Sequence, residues 1–565
     1  MLPDDGSIVD SHAGNGQFGQ TRASTPPQNP PPSKPVKPNP VTTDLHEGRL
    51  GRDYSLYPAI CAVAASVAAL CIVVWGLGRG IDLTDEGFYL NSISLPYLYG
   101  ATYSQFGFIL HPIYVLVGGD LILFRLAGLV PLMLAAIFFV STVLRVPLIP
   151  PALPKTAQLV LVVSGSCAVL LAYSQWIPTP NYNLLNLFGA LLIFTGWLRI
   201  LEDAVSPALQ RTGAIVVFAL GFMIVALVKP TTAAILAIGL TGLTLPFGRR
   251  SLMEVIFAGS LSFLLFVLVL LAIDGDISAV ILRYRNALVY NDLFQAGHDV
   301  NHFSTLGVET LIGVFVAYLL GRRLNYARNA DPRYIAVLIA LFFAPIAVAF
   351  GTNAGILRSA PRAGIFWVVA MALVVMTAAP PNIRWRWLYL AMTMCACGVL
   401  ILLVHAIQKP YRMNGPLWQQ TEWISSATQQ HATRVDLATA DYFRILQSGA
   451  KSAGFQAGTP VIDLTGTAPT TIYMLGGEAV GLAWINGGYP GTDSLAFHAL
   501  STVPGAVLRR SWILTSPAGH AHVPSDILAG LGLKFPDDYE EVARAQTGYL
   551  SEEQILWRPR SAKTP

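Results

Sequence analysis

The feature that most constrains this chain is its series of long apolar runs. They lie near 57–78, 122–145, 157–177, 183–200, 212–228, 231–247, 253–273, 304–320, 333–351, 364–379 and 387–407. Most have the roughly 17–25 residues that carry a helix through the hydrocarbon of a bilayer. The backbone of such a run must satisfy its own hydrogen bonds in lipid, which a helix does and an open strand does not. Composition agrees: 53% of the 565 residues are hydrophobic and 12% are charged, against about 25% charged in an ordinary soluble domain. The sequence therefore predicts an α-helical polytopic membrane protein with about eleven spans.

Two flanks depart from that pattern. Residues 1–50 are polar and rich in proline, a composition that buries no core and predicts a disordered cytoplasmic tail. Residues 51–407 form the transmembrane domain. From 408 to 565 charge returns and the apolar runs stop, leaving enough chain for one small α/β domain. The net charge of +4 is spread thinly, without the basic block of a nucleic-acid binder. The cysteines Cys61, Cys71, Cys167, Cys395 and Cys397 all fall in apolar runs without metal-ligand spacing.

Basic residues suggest an orientation. Arg49 and Arg52 precede the first run, which has no small-residue cleavage site and reads as a signal anchor with its N-terminus inside. The segment 106–117 is short and contains His111-Pro112. Taken as an interfacial helix rather than a span, it leaves Arg249, Arg250, Arg384 and Arg386 inside, as the positive-inside bias prefers. The C-terminal domain then lies outside the membrane.

On that topology the outer loops collect the polar residues that solvation explains least. Asp82, Asp85, Glu86 and His111 fall in the first outer loop, Asn181, Tyr182 and Asn183 in the second, and Lys229, Arg358 and Arg362 beside later spans. The pair Asp85-Glu86 reads either as the acidic first turn of a helix or as a carboxylate that accepts a proton from a hydroxyl. Lys229 reads as a snorkelling lysine, and Arg358 and Arg362 as interface anchors. Basic anchors belong mainly on the inner side, however, and four-residue spacing lets both guanidinium groups face one anion. Outer cations beside Asn181 and Tyr182 therefore fit a phosphate held at the membrane surface.

These residues also carry a family resemblance. A first span followed by Asp85-Glu86, then His111-Pro112 in an interfacial helix, Gly119-Asp120 and an Arg125-containing span resembles the GT-C superfamily of membrane glycosyltransferases. The likeness is to the branch of aminoarabinose transferases and protein O-mannosyltransferase-like enzymes. The Asn181-Tyr182-Asn183 loop and the Val228-Lys229-Pro230-Thr231 corner extend it across about residues 55–407, although Ile113 stands where the family often carries a second proline. The resemblance implies inverting transfer of a sugar from a polyprenyl-phosphate carrier to a glycolipid or protein hydroxyl outside the cytoplasmic membrane. It carries the catalytic acid onto Asp85, with Glu86 as neighbour or substitute, and the phosphate contacts onto His111, Lys229 and Arg358 or Arg362. Some relatives use a divalent metal ion, which Asp82, Asp85 and Glu86 could hold. The other readings are a secondary transporter or flippase of an anionic or lipid-linked substrate, and a non-catalytic scaffold.

In the C-terminal region, 459–467, 512–514, 539–544 and 554–557 read as strands and 416–431 as a helix.

Overall fold

The computed structural model describes residues 56–102, 104–145, 153–202, 208–293, 331–350, 359–379, 383–426 and 432–560, all within one compact unit spanning 52–565. Helix α1 (Leu56–Gly76) leads into two short helices, α2 (Asp85–Ser94) and α3 (Phe106–Leu116), and then α4 (Leu121–Val143). Helix α5 covers Lys155–Tyr173 and is irregular, with a π turn at Leu161–Gly165 and a 3-10 stretch at Ala168–Tyr173. There follow α6 (Tyr182–Leu201), α7 (Ala208–Val228), α8 (Pro230–Thr244), α9 (Arg249–Asp274) and α10 (Ile277–Leu293). The helical part closes with α11 (Pro332–Ala349), α12 (Ile365–Ala378) and α13 (Arg384–Gln408).

Among the described residues nine helices are long and apolar enough to cross a membrane, namely α1, α4 to α9, α11 and α13. The expected run near 364–379 forms α12, whose 14 residues span only about 21 Å of a hydrocarbon core about 30 Å thick. The run near 304–320 lies outside the described residues, as do residues 1–50. Helix α3, with 11 residues, is likewise too short to cross, as expected. Outward-facing side chains along α9 are apolar, Phe257 and Phe263 being 61% and 67% exposed, which water would disfavour and lipid accepts.

Close helix packing relies on glycine. An added Cβ at Gly196 of α6 would stand 2.6 Å from the Phe218 nitrogen and 2.7 Å from the Ala214 oxygen of α7, and one at Gly221 would stand 2.7 Å from the Gly189 oxygen. The two backbones therefore touch directly, the device that membrane helices use where no hydrophobic drive separates protein from lipid.

Several helix ends meet at one end of the bundle. The Arg125 guanidinium of α4 donates to Leu77 O after α1. Tyr411 N, after α13, donates to Gln175 O after α5, and Lys229 Nζ, after α7, donates to Val348 O of α11.

The C-terminal part holds every described strand. A hairpin pairs β1 (Glu422–Ser425) with β2 (Ala432–Val435). A five-stranded sheet follows the order β4-β3-β5-β7-β6, from β3 (Pro460–Asp463), β4 (Glu478–Ala479), β5 (Trp512–Thr515), β6 (Tyr539–Gln546) and β7 (Glu553–Pro559). Strands β3, β5, β6 and β7 lie where the sequence predicted strands, whereas the two-residue β4, next to Gly476-Gly477, was not predicted. The helix expected over 416–431 is absent from the described part: Glu422–Ser425 alternates exposed and buried residues, which fits a strand of period two. Helices α14 (Leu437–Ser452) and α15 (Pro469–Leu475) cover one face. That face, through Val461, Leu514 and Leu556, shares one apolar core with Tyr89, Leu90 and Ile93 of α2 and Phe106 and Leu110 of α3. Burying the three α2 side chains contributes roughly 6 kcal/mol as an upper bound. The other face packs Ile462 and Ile513 in a separate cluster.

Replacing Gly196 by Val should lower the thermal midpoint of the detergent-purified protein by an amount matching about 3 kcal/mol or more. Gly239→Ala, where nothing lies within 4 Å of the added carbon, should leave it unchanged.

Candidate active site

Helix α2 begins at the acidic pair. Thr84 occupies its N-cap, and Asp85 and Glu86 fill the first turn, where the unpaired N–H groups favour negative charge. Successive helical residues point about 100° apart, so the two carboxylates separate.

Glu86 turns inward. Its Oε1 accepts from Arg125 Nη2 at 2.9 Å, both side chains being fully buried, and from the Thr179 hydroxyl. Its Oε2 accepts from the Asp82 nitrogen at 2.9 Å. Arg125 spends its remaining donors on Leu77 O, Gly80 O and Thr179 Oγ1. Both partners are thus satisfied within one network, which ties α1, α2, α4 and the segment before α6 together. The expectation that Glu86 neighbours or replaces Asp85 in catalysis is corrected here: its oxygens are taken, and no face of it is open to a substrate.

Asp82 is also buried, with Thr84 Oγ1 donating at 2.8 Å. Burial first, and then the charges of Asp85 and Glu86, push its carboxyl up to about 8. Asp85 is different, since its side chain stays 25% exposed. Arg412 Nη1 stands 3.6 Å from its Oδ2 and donates to Thr84 Oγ1 at 2.7 Å. The Tyr411 hydroxyl faces the same carboxylate, and burial followed by the Asp85 charge raises that phenol well above its ordinary value. Arg412 adopts the left-handed backbone region at φ +49°, which costs a non-glycine residue about 1 kcal/mol or more and persists only where the surroundings enforce it. Sequence reading missed Tyr411 and Arg412. Their one local signal is a Tyr-Arg pair with three residues between it and the last apolar run, which says nothing of their remote partners.

Cations complete the cluster. Arg362 donates to Gln175 Oε1, and its Nε is buried with no hydrogen-bond partner among the described residues. Burial draws this guanidinium below its ordinary value, while Tyr89, Tyr182, Tyr411 and Asp85 oppose that shift. Lys229, held by Val348 O at 3.0 Å, is drawn down to about 8 by burial and next by the Arg362 charge. Among the described residues no carboxylate comes within 4 Å of Arg362 or Lys229. Tyr182 stacks edge-on against Tyr89, with ring centroids 5.8 Å apart. Asp85, Tyr182, Lys229 and Arg362 are thereby brought together.

Other expected residues go elsewhere. His111 Nδ1 bonds Ile93 O at 2.7 Å and so ties α3 to α2. Asn181 caps α6, its Oδ1 accepting from the nitrogens of Asn183 and Leu184. Arg358 lies outside the described residues. The acidic trio does not fit a divalent ion either: Arg125 already occupies Glu86, Thr84 occupies Asp82, and Arg412 stands against Asp85.

The C-terminal part is built into this loop. Thr470 at the start of α15 donates through its hydroxyl to Asp82 O at 2.6 Å and through its nitrogen to Leu83 O at 3.1 Å. Asn91 Nδ2 reaches Pro469 O and Ala483 O. A Cβ at Gly87 would stand 2.0 Å from the Thr470 nitrogen, so only glycine permits the approach.

Two outcomes follow. Glu86→Gln leaves Arg125 buried without its counter-charge and should cost about 3–5 kcal/mol, read as a loss of thermal midpoint. An aspartate whose folded value lies near 8, against about 4 when unfolded, favours the folded state at low pH and loses that advantage progressively between those values. The thermal midpoint of Asp82→Asn should accordingly fall less than that of the wild type from about pH 4 to about pH 8. Equal slopes would show Asp82 ionised in the fold.

No protein-family model and no curated protein sequence matches the chain. Solved structures do match. ArnT from Cupriavidus metallidurans bound to undecaprenyl phosphate superposes with a TM-score of 0.51 at 13% identity, over 87% of this chain and 97% of that one. The same protein in its apo state gives 0.46 at the same identity and coverage. The Archaeoglobus fulgidus oligosaccharyltransferase complex with zinc and sulfate gives 0.42 at 13% identity, over 80% and 67%. Only the first of these carries weight, and it speaks for the fold. This chain is a multi-pass membrane protein whose fold is similar to that of ArnT.

Proposed function

We propose that the chain is an inverting glycosyltransferase that moves a sugar from a polyprenyl-phosphate carrier to an acceptor hydroxyl at the outer face of the cytoplasmic membrane. The observation that carries this reading is the juxtaposition of a partly exposed carboxylate, Asp85, with two buried cations, Arg362 and Lys229, that no carboxylate among the described residues pairs. A carrier phosphate supplies the missing anion.

The chemistry follows from charge. As the bond between the anomeric carbon and the phosphate oxygen breaks, negative charge grows on the phosphate, and preplaced cations in a dry site stabilise it most. Asp85 takes the acceptor proton while the acceptor oxygen bonds the anomeric carbon from the opposite side, inverting it with a single base. Arg412 and Tyr411 hold Asp85 in place, and Glu86 fixes the helix that presents it. An apolar cavity of about 220 Å³ between α6, α8 and α11, lined by Phe194, Leu236, Leu240, Ala344 and Phe350, runs along the helices that meet at the Lys229–Val348 bond. It suits a prenyl chain, and the undecaprenyl phosphate in the ArnT structure supports the same carrier class. In this reading residues 408–565 form an extracytoplasmic domain, residues 1–50 are cytoplasmic, and a glycolipid or protein provides the acceptor.

The test is sugar transfer by membranes supplied with polyprenyl-phosphate sugars and envelope glycolipids, at matched protein levels. Asp85→Asn should reduce transfer by about 10²–10⁴-fold. Arg362→Gln should reduce it by about 10²–10³-fold, mainly in kcat. Transfer equal to wild type in both variants would overturn the reading.

A further inference from the structure

Two arginines meet where the end of α1 joins the β1–β2 hairpin. The lipid-facing stripe of α1 runs through Ile60, Val67 and Val74, 49–56% exposed, and ends at Trp75, 43% exposed. Three residues beyond the helix, Arg79 folds its guanidinium over the Trp75 ring, 4.4 Å from the centroid. The hairpin formed by β1 and β2 meets it there. Arg79 and Arg434 form a parallel β-bridge, closed by Gly80 N to Arg434 O at 2.7 Å and Arg434 N to Gly78 O at 3.0 Å. Arg434 in turn lies over the Trp423 ring at 4.5 Å, and Trp423 and Trp418 are each 49% exposed.

The backbone therefore fixes two guanidinium groups side by side, each on its own indole. Burial and the neighbouring Arg434 charge pull Arg79 below its ordinary value, so the like charges are felt. Arg79 spends Nη1 on Gln420 O. Among the described residues no carboxylate stands within 4 Å of either arginine, and residues 427–431 of the hairpin contain no acid. Stacking on indole orients a guanidinium and leaves its donors free for a bidentate acceptor. Exposed tryptophans at the end of a membrane-length helix mark the headgroup level. A pair of bare cations at that depth meets phosphate more than any other anion.

We propose that Arg79 and Arg434, flanked by Trp75 and Trp423, form a binding site for a phosphate-bearing anion, supplied by an anionic phospholipid at the same end of the bundle as the C-terminal domain. The phosphate oxygens bridge the two guanidinium groups, the indoles pack against the glycerol and upper acyl chain, and the bound lipid staples β1 and β2 to the end of α1. This site is independent of the proposed sugar transfer.

The test uses full-length protein purified in neutral detergent and stripped of lipid, titrated with dioleoyl phosphatidylglycerol, dioleoyl phosphatidylcholine or inorganic phosphate. Thermal midpoint and native mass spectrometry report binding. Phosphatidylglycerol should raise the midpoint and remain bound in preference to phosphatidylcholine. Arg434→Gln, which removes no hydrogen bond that the guanidinium makes among the described residues, should weaken phosphatidylglycerol binding about fivefold, the effect of one interfacial cation. Arg79→Gln should weaken it too, and where loss of the Gln420 contact unfolds that variant, Arg434→Gln carries the result alone. Equal protection by inorganic phosphate at equal concentration, lost in Arg434→Gln, would keep the anion site and assign its ligand to solution. Phosphatidylglycerol binding that matches phosphatidylcholine, or that Arg434→Gln leaves unchanged, overturns the proposal.

Discussion

The buried ion pair between Arg125 and Glu86 is the interaction on which the rest of the site depends. Neither charge can be buried alone, and each is satisfied only because the other is present. Arg125 also takes the carbonyls of Leu77 and Gly80, so one guanidinium closes the end of α1 and fixes where α2 begins. With Glu86 pinned inward, the helical twist turns Asp85 to a different side, where it stays partly exposed. Asp82 is sealed beneath it, where burial holds its carboxyl near 8. Three acids within five residues thus acquire three roles: a strut, a buried carboxyl and an open carboxylate.

The C-terminal part then completes the surface from the other side. Helix α15 lies against α2 through Thr470 and Gly87, and the two share a core with one face of the five-stranded sheet. Displacing the sheet would uncover Tyr89, Leu90 and Ile93 and release the carbonyl of Asp82. The loop between α1 and α4 and the C-terminal part are therefore one folding unit in practice, although they are far apart in sequence.

Much of this was legible in the sequence for a simple reason: lipid leaves the backbone few options, so apolar length alone located nine of the described helices. Four of the five described strands of the C-terminal sheet were legible in the sequence, while β4, Glu478–Ala479, is too short to leave a pattern. Asp85, Tyr182, Lys229 and Arg362 were picked out because ionisable or polar groups beside spans demand a reason, and the fold does gather them. Glu86, His111 and Asn181 satisfied the same criterion and turned out to be an ion-pair partner, a helix tie and a helix cap. Composition does not tell a satisfied polar group from an available one; that needs the partner. Arg412 escaped notice because its partner Thr84 lies 328 residues away, a separation that no local pattern records. The stretch 416–431 reads as helix from sequence because the strand alternation of Glu422–Ser425 is only four residues long.

The most direct test of the account is a cryo-electron microscopy structure of the protein with a non-hydrolysable phosphonate analogue of a polyprenyl-phosphate sugar. The account predicts phosphonate oxygens at about 3 Å from the Arg362 guanidinium and Lys229 Nζ, with the anomeric carbon facing Asp85 and the prenyl chain between α8 and α11. A phosphonate bound elsewhere, with Arg362 still held only by Gln175 and the Asp85 face empty, would contradict it.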